Sequence, residues 1–343
     1  MNEAETVTGQ RWAAVCEELT GPDAVKLRRW PRQALGPGEL RLRIMASGVN
    51  FPDVLMTRGQ YQLRVAAPFV PGMEAAGIVE ETGPGTTGFR NGDRVVANQY
   101  HGLFASEAVV PAASVTRAPA SFTLPESACY RIAAYTAWHA LTDRARLQAG
   151  ETVLVLGAGG GTGLAAVEIA RLLGARVIAA ASSPGKLEAA HSRGAAHTVD
   201  YRRGPLVEQV RAIAPDGVDV IFDPVGGDLF EQALRLPAWN GRVLVVGFAS
   251  GRIGTVRANL PLIKGYGILG VRAGEAARRD PEVARRADRQ LAVWTAAGHL
   301  RPVVSECHPL ADASRALRAL EGRQVHGRIV LLPPDEPPGC TGT

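Results

Sequence analysis

Lysine, cysteine and aromatic residues are all scarce in this 343-residue chain. Lys26, Lys186 and Lys264 are its only lysines, aromatics make up 6%, and there are four cysteines. Cys16, Cys129, Cys307 and Cys340 lie far apart, with no C-x-x-C spacing. That excludes a zinc ribbon or a disulfide framework and reads as scattered free thiols in a reducing compartment. No apolar run approaches the ~20 residues that span a bilayer. The opening MNEAETVTGQRW has early acids and no apolar stretch, so it does not read as a secretory signal, and a cytoplasmic protein without membrane attachment is expected. The net charge of +5 raises the question of a polyanionic partner. The arginines interleave with acids, however, and the densest run, EAARRDPEVARRADRQLAVW, reads as a solvated helix face, so no nucleic-acid partner is expected.

What is present is the make-up of an ordinary globular protein, 46% apolar and 21% charged, long enough for two domains. The polar or Pro/Gly-rich ends, 1–10 and 333–343, are expected to fray. In ELRLRIMA, Leu40, Leu42, Ile44 and Ala46 alternate with Arg41, Arg43 and Met45, the period of a half-buried strand. Together with AAGIVEETG and DRVVAN, and turns such as GPGEL and GPGTTG, it makes 11–125 mostly β. From about residue 130 the texture changes. A helical ACYRIAAYTAWHALTDRA precedes short apolar strands that alternate with helices: TVLVLG, 161–173, RVIAAA, 184–193, HTVDY, 205–213, DVIFDPVG, 228–236 and GRVLVVG. This is the pattern of a parallel sheet covered on both faces. A long helix over 281–297, then RPVVSECHPL and GRIVLL, completes the first, β-rich domain. The expected division is 1–133 with 274–333, then 134–273, and a flexible tail over 334–343.

The strongest chemical signal is TVLVLGAGGGTGLAAVEIARLLGARVIAAASSPGK. Strand 152–156 enters a loop with the register Ala158-x-Gly160-x-x-Gly163, then a helix and a second strand, 176–181. This is a relative of the dinucleotide fingerprint. Small residues let the N–H groups of Gly160, Gly161 and Thr162, with Gly159 in the same loop, approach a pyrophosphate, and Gly163 lets helix and strand pack closely. An NAD site places an acid at the end of the second strand. Here that stretch reads Ala181-Ser182-Ser183-Pro184-Gly185-Lys186, two hydroxyls and a cation suited to a 2′-phosphate, so NADPH is the expected cofactor.

GVNFPDVLMTRGQYQ, PFVPGMEAAGIVEETG, GDRVVA, YTAWHAL, the glycine loop, DVIFDPVGGDLFEQAL, GRVLVVGFASG and GRIVLL occur in an order similar to that of the zinc-free quinone oxidoreductase branch of the medium-chain dehydrogenase/reductase superfamily. The resemblance covers about 11–332. It implies an α/β protein with a GroES-like β-rich catalytic domain and a Rossmann doubly wound cofactor domain. By matching position it implies Asn50 near the nicotinamide, Thr136 in a cleft helix, Ser182, Lys186, Tyr201 and Arg323 at the 2′-phosphate and adenine, and Gly247, Phe248, Val271 and Arg272 along the nicotinamide pocket. It also implies a homodimer that meets near GRVLVVG and YGILGV. Two departures stand out: Tyr130-Arg131 where Leu-Pro is common, and Leu55 where a tyrosine is frequent.

Zinc-dependent relatives hold their metal through a cysteine matching 46–48, a histidine matching Met73, and a later cysteine. Here the early cysteine is absent and a thioether is a poor zinc ligand, so no metal site is expected. Without a Lewis acid, hydride acceptors that delocalise their own charge are favoured, namely quinones and conjugated carbonyls. Asn50 and Tyr61 are the candidate catalytic donors, with Arg272 as a third. Tyr61 reads either as a substrate-orienting phenol, by resemblance to enoyl-thioester reductases, or as a packing residue. Asp53 reads as a structural acceptor, and Glu74 as a cap or an arginine's partner. Three functions stay open: quinone reduction, reduction of an activated C=C bond in an enone, alkenal or enoyl thioester, and NADPH binding without turnover.

Overall fold

The computed structural model describes residues 9–334, so the expected tail from 335 onward, Cys340 included, lies outside the described residues. The chain divides into two compact units. One runs to Arg131 and resumes at Val304; the other is Ile132–Val303.

The first unit opens with β1 (Gln10–Cys16), β2 (Val25–Pro31), β3 (Glu39–Gly48), β4 (Glu74–Thr82), β5 (Arg94–Asn98), β6 (Glu107–Pro111) and β7 (Val115–Arg117), with helices α1 (Phe51–Thr57) and α2 (Leu124–Ser127). After α3 (Arg131–Trp138), the second unit alternates β8 (Thr152–Leu156), α4 (Gly161–Leu172), β9 (Arg176–Ala181), α5 (Pro184–Ser192), β10 (His197–Asp200), α6 (Leu206–Ile213), β11 (Val218–Asp223), α7 (Gly227–Ala233) and β12 (Pro237–Val245). It continues through α8 (Asn259–Lys264), β13 (Gly267–Gly270), α9 (Ala273–Arg279) and α10 (Pro281–Ala296). The chain then returns to the first unit with β14 (Val304–Pro309), α11 (Ala313–Glu321) and β15 (Arg328–Leu332).

In the first unit β3 is the spine, hydrogen-bonded to β4, β6 and β15 in a seven-stranded sheet. Leu40, Leu42 and Ile44 are buried as their alternation requires. Arg41, expected on the solvent side, is only 3% exposed. Glu107 of β6 and Glu81 of β4 flank it as ion partners, so the neighbouring strands bury the face that the local pattern assigned to water.

The second unit is a six-stranded sheet in the order β10-β9-β8-β11-β12-β13, every pairing parallel. That is the doubly wound order of dinucleotide-binding folds. Val153, Leu154, Val155 and Leu156 of β8 are all fully buried, the signature of a central strand covered on both faces. The expected alternation of strands and helices is present, each element within a few residues of its expected place.

The sequence reading returned the chain to the β-rich domain at 274, whereas α9 and α10 stay with the second unit up to Val303. Side chains explain this. Beyond α3 the helix widens into a π-helical turn, His139–Arg144, where His139 Nδ1 lies 2.8 Å from Asp143 Oδ2. Asp143 Oδ1 accepts from Arg286 of α10 at 2.7 Å, and Trp138 meets Trp294 edge to face at 5.4 Å. The arginine-rich run is likewise two helices, because Asp280 accepts from the Glu282 N–H and Pro281 starts α10 afresh. Among the described residues, no helix is long and apolar enough to cross a membrane.

Candidate functional site

In the first unit the candidate chemistry gathers where β3 ends and α1 begins. Asn50 is the N-cap of α1; its N–H donates to Asp53 Oδ2 at 2.8 Å, closing a capping box. The other Asp53 oxygen accepts from Gly72 N–H at 3.2 Å, so one carboxylate ties α1 to the segment entering β4. Burial raises the Asp53 pKa from the ordinary 3.8 to about 7; the backbone donors at Asn50 and Gly72 oppose the rise and the charge on Glu74 adds to it.

Glu74 is fully buried, and its partner is Arg328, the first residue of β15, which is 7% exposed. Arg328 Nη2 donates both to Glu74 Oε1 and, at 2.8 Å, to Asn50 Oδ1. Asn50 Nδ2 donates to Gly48 O and to Glu74 Oε1, each at 3.2 Å. The oxygen and amino group of Asn50 are thus both engaged within the protein. Tyr61 is half-buried against the apolar core that includes Val15, Phe69 and Leu331.

In the second unit the candidates collect at the carboxyl ends of the parallel strands, where open α/β sheets bind ligands. Gly159, Gly160, Gly161 and Thr162 join β8 to α4. The Gly160 N–H, expected to face a phosphate, donates instead to Gly157 O at 3.1 Å. That leaves Gly161, Thr162 and Gly163 as the first-turn donors that no i−4 carbonyl can satisfy. A Cβ at Gly163 would come within 2.8 Å of Ala158 Cα, so helix and strand are as close as the fingerprint anticipates. Ser182 follows β9, and Lys186 lies in the first turn of α5 with its stem across the glycine loop. A Cβ on Gly159 would sit 2.6 Å from Lys186 Cγ. Tyr201 follows β10, its N–H donating to Ala181 O at 3.3 Å. Gly247 and Phe248 follow β12, Val271 and Arg272 follow β13, and Thr136 lies in α3. Arg323 belongs to the first unit and follows Gly322, the C-cap of α11, with a left-handed backbone, φ 55°, which L-residues seldom adopt.

Sequence reasoning missed two buried groups. Asp223, at the end of β11, accepts from the Val225 and Gly226 N–H groups at 2.8 and 3.0 Å, and burial raises its pKa. Arg328 was visible only as a charge opening an apolar strand. Zinc does not fit the site: Ser47 is buried with its hydroxyl donating to Leu103 O at 2.6 Å, and Met73 offers a thioether. Among the described residues, no group of three or more His, Cys, Asp or Glu side chains is placed to hold a metal ion.

The Asp53 carboxyl gives a testable pH signature. Its folded pKa of about 7 lies above the ordinary 3.8, so between those values the folded protein holds a proton that the unfolded chain has released. Its contribution to stability is therefore greatest near pH 4 and is lost as pH rises through 7. Thermal unfolding of the parent and of Asp53→Asn across pH 4–8 should give curves whose separation changes over that window. Parallel curves would show that Asp53 does not titrate there.

Two family profiles match the chain: the alcohol dehydrogenase GroES-like domain over 36–120 and the zinc-binding dehydrogenase over 161–289. Quinone oxidoreductase-like protein 2 of Bos taurus is 38% identical over 321 residues, 93% of this chain and 91% of that one. The synaptic vesicle membrane protein VAT-1 homolog of Homo sapiens is 30% identical over 342 residues, covering 94% and 87%. Among solved structures, a probable oxidoreductase from Mycobacterium abscessus is 34% identical with a TM-score of 0.87, covering 95% of this chain and 100% of that one. The Escherichia coli quinone oxidoreductase in complex with NADPH is 27% identical, also with a TM-score of 0.87 and the same coverage. With the doubly wound sheet and the GroES-like domain, these likenesses show that the chain belongs to the quinone oxidoreductase-like family of the medium-chain dehydrogenase/reductase superfamily.

Proposed function

We propose that this protein is a zinc-independent, NADPH-dependent oxidoreductase that reduces quinones or other conjugated carbonyl compounds. The observation that carries the reading is the cradle at the carboxyl end of the parallel sheet. There the Gly161, Thr162 and Gly163 N–H groups open α4, and the Lys186 stem lies on Gly159 with no acid at the end of β9. Anions favour a helix N-terminus, and a cation beside Ser182 suits a 2′-phosphate that a carboxylate would repel. NADPH fits these residues, and the E. coli relative was solved with it. Bound there, the reduced nicotinamide supplies a hydride. Gly159 to Thr162 would hold the pyrophosphate, Ser182, Lys186, Tyr201 and Arg323 the adenosine phosphate, and Thr136, Gly247, Phe248, Val271 and Arg272 the nicotinamide end. In the first unit Asn50 and Asp53 fix the start of α1, and Tyr61 is the candidate to orient an acceptor. Cytoplasmic work is consistent with the free thiols at Cys16 and Cys129.

NADPH oxidation should be followed with 1,4-benzoquinone, 9,10-phenanthrenequinone, an enone and a crotonyl thioester. Turnover of the quinones is expected. Turnover of the enone or thioester alone would move the assignment to C=C reduction. Tight NADPH binding by fluorescence without any turnover would leave a binding protein.

Cofactor choice has its own test. Lys186→Ala with Ser182→Asp should weaken NADPH about tenfold or more relative to NADH, from lost hydrogen bonds to a charged group. Equal changes in the two affinities would remove the 2′-phosphate assignment.

The partner in this reading is a second copy of the chain. Among the described residues, strand β13 is hydrogen-bonded only to β12. Near it Trp239 is 73%, Leu262 80% and Ile263 70% exposed, an apolar surface of the kind that marks association. Light scattering should give a dimer mass, and Leu262→Asp with Ile263→Asp a monomer. A monomeric parent would end this proposal.

A further inference from the structure

Asp223, at the end of β11, is a carboxyl almost wholly removed from water, 1% exposed. Among the described residues no cation pairs with it. Its Oδ1 accepts from the Val225 N–H at 2.8 Å and the Gly226 N–H at 3.0 Å, and its Oδ2 from Gly226 at 3.2 Å. Burying a carboxyl is costly unless hydrogen bonds compensate it, and here two amides of one tight turn do so. The carboxyl thereby fixes the turn over 223–227, in which Gly226 and Gly227 hold left-handed backbones, φ 71° and 59°.

A second loop is fastened to that turn. The Val246 and Gly247 N–H groups donate to Asp223 O at 2.9 and 3.3 Å, the Ala249 N–H to Pro224 O at 3.1 Å, and the Ser250 N–H to Val225 O at 2.8 Å. Phe248 is the residue skipped in this series, and it is 39% exposed. A Cβ on Gly226 would lie 2.8 Å from Phe248 Cδ1, and one on Gly227 2.8 Å from Ser250 Oγ, so the loop is seated directly on the turn. The turn also meets the glycine loop. A Cβ on Gly157, the first residue after β8, would come within 2.7 Å of Val225 Cγ2. The clamped turn therefore stands against both loops, all within the second unit.

We propose that Asp223 is a positioning residue that sets the glycine loop and the Gly247–Phe248 segment at the separation one dinucleotide needs. The inference rests on the NADPH reading above and deepens it. Asp223 acts through the turn: it holds the amides of Val225 and Gly226, and the carbonyls of that same turn carry the loop from Val246 to Ser250. A ligand that occupies the glycine loop alone is indifferent to the separation. One that spans both loops binds well, with its reactive end aligned, only when the spacing is already right.

The full chain is titrated with NADPH and with adenosine 2′,5′-bisphosphate, which carries the adenosine half alone. Asp223→Ala should weaken NADPH about tenfold, the loss of hydrogen bonds to a charged acceptor, and leave adenosine 2′,5′-bisphosphate within about twofold. Its kcat with 9,10-phenanthrenequinone should fall about 100-fold, as for a misplaced reacting group. Asp223→Asn, which keeps Oδ1 as an acceptor, should recover most of both losses. Amide hydrogen exchange of the free protein should rise over 246–250 in Asp223→Ala and stay as in the parent over β8. Equal weakening of the two ligands, or unchanged exchange over 246–250 in a folded Asp223→Ala, would overturn the proposal. If Asp223→Ala fails to fold, Asp223→Ser, with a shorter acceptor, takes its place with the same expected split, and equal weakening would again overturn it. A parent that binds neither ligand ends the NADPH reading and this proposal together. A parent that binds both, with the loop unmoved by the variant, ends the proposal alone.

Discussion

A guanidinium removed from water must meet a carboxylate, and the first unit is organised around the place where Arg328 meets Glu74. The two are 254 residues apart in sequence and both are buried. Removing one partner of a buried ion pair costs about 3–5 kcal/mol. The pair joins β15, near the end of the chain, to β4, and through Asn50 to the start of α1. Asp53 extends the arrangement by holding the Asn50 and Gly72 amides with one buried carboxyl. The lone acid in the apolar run PGMEAAG thus anchors a hydrogen-bonded network within the first unit.

The second unit works by a different principle. Parallel strands place all their carboxyl ends on one side, so the loops that leave them share an edge, and the helix after β8 presents unsatisfied N–H groups there. At that edge the Lys186 stem lies over Gly159. Asp223 supports the same edge from within by holding the turn after β11.

Asn50, the first candidate, has its amide engaged by Arg328, Glu74 and Gly48. Tyr61 packs on the core.

Much of this was written locally. Alternation with period two marked β3, full apolar runs marked β8 and β9, and the small residues between β8 and α4 marked the loop, because backbone pitch and side-chain volume act over a few residues. The absence of an acid after β9 and the thioether at Met73 were equally plain, since each depends on residue type alone. Tertiary structure alone decided the rest. It buried Arg41 beneath Glu107, kept α10 with the second unit through Arg286 and Trp294, turned the Asn50 amide inward, and brought Arg131 to Asn98. Each of those outcomes depends on a side chain meeting a partner distant in sequence, and a local pattern cannot specify which strand or helix will supply that partner.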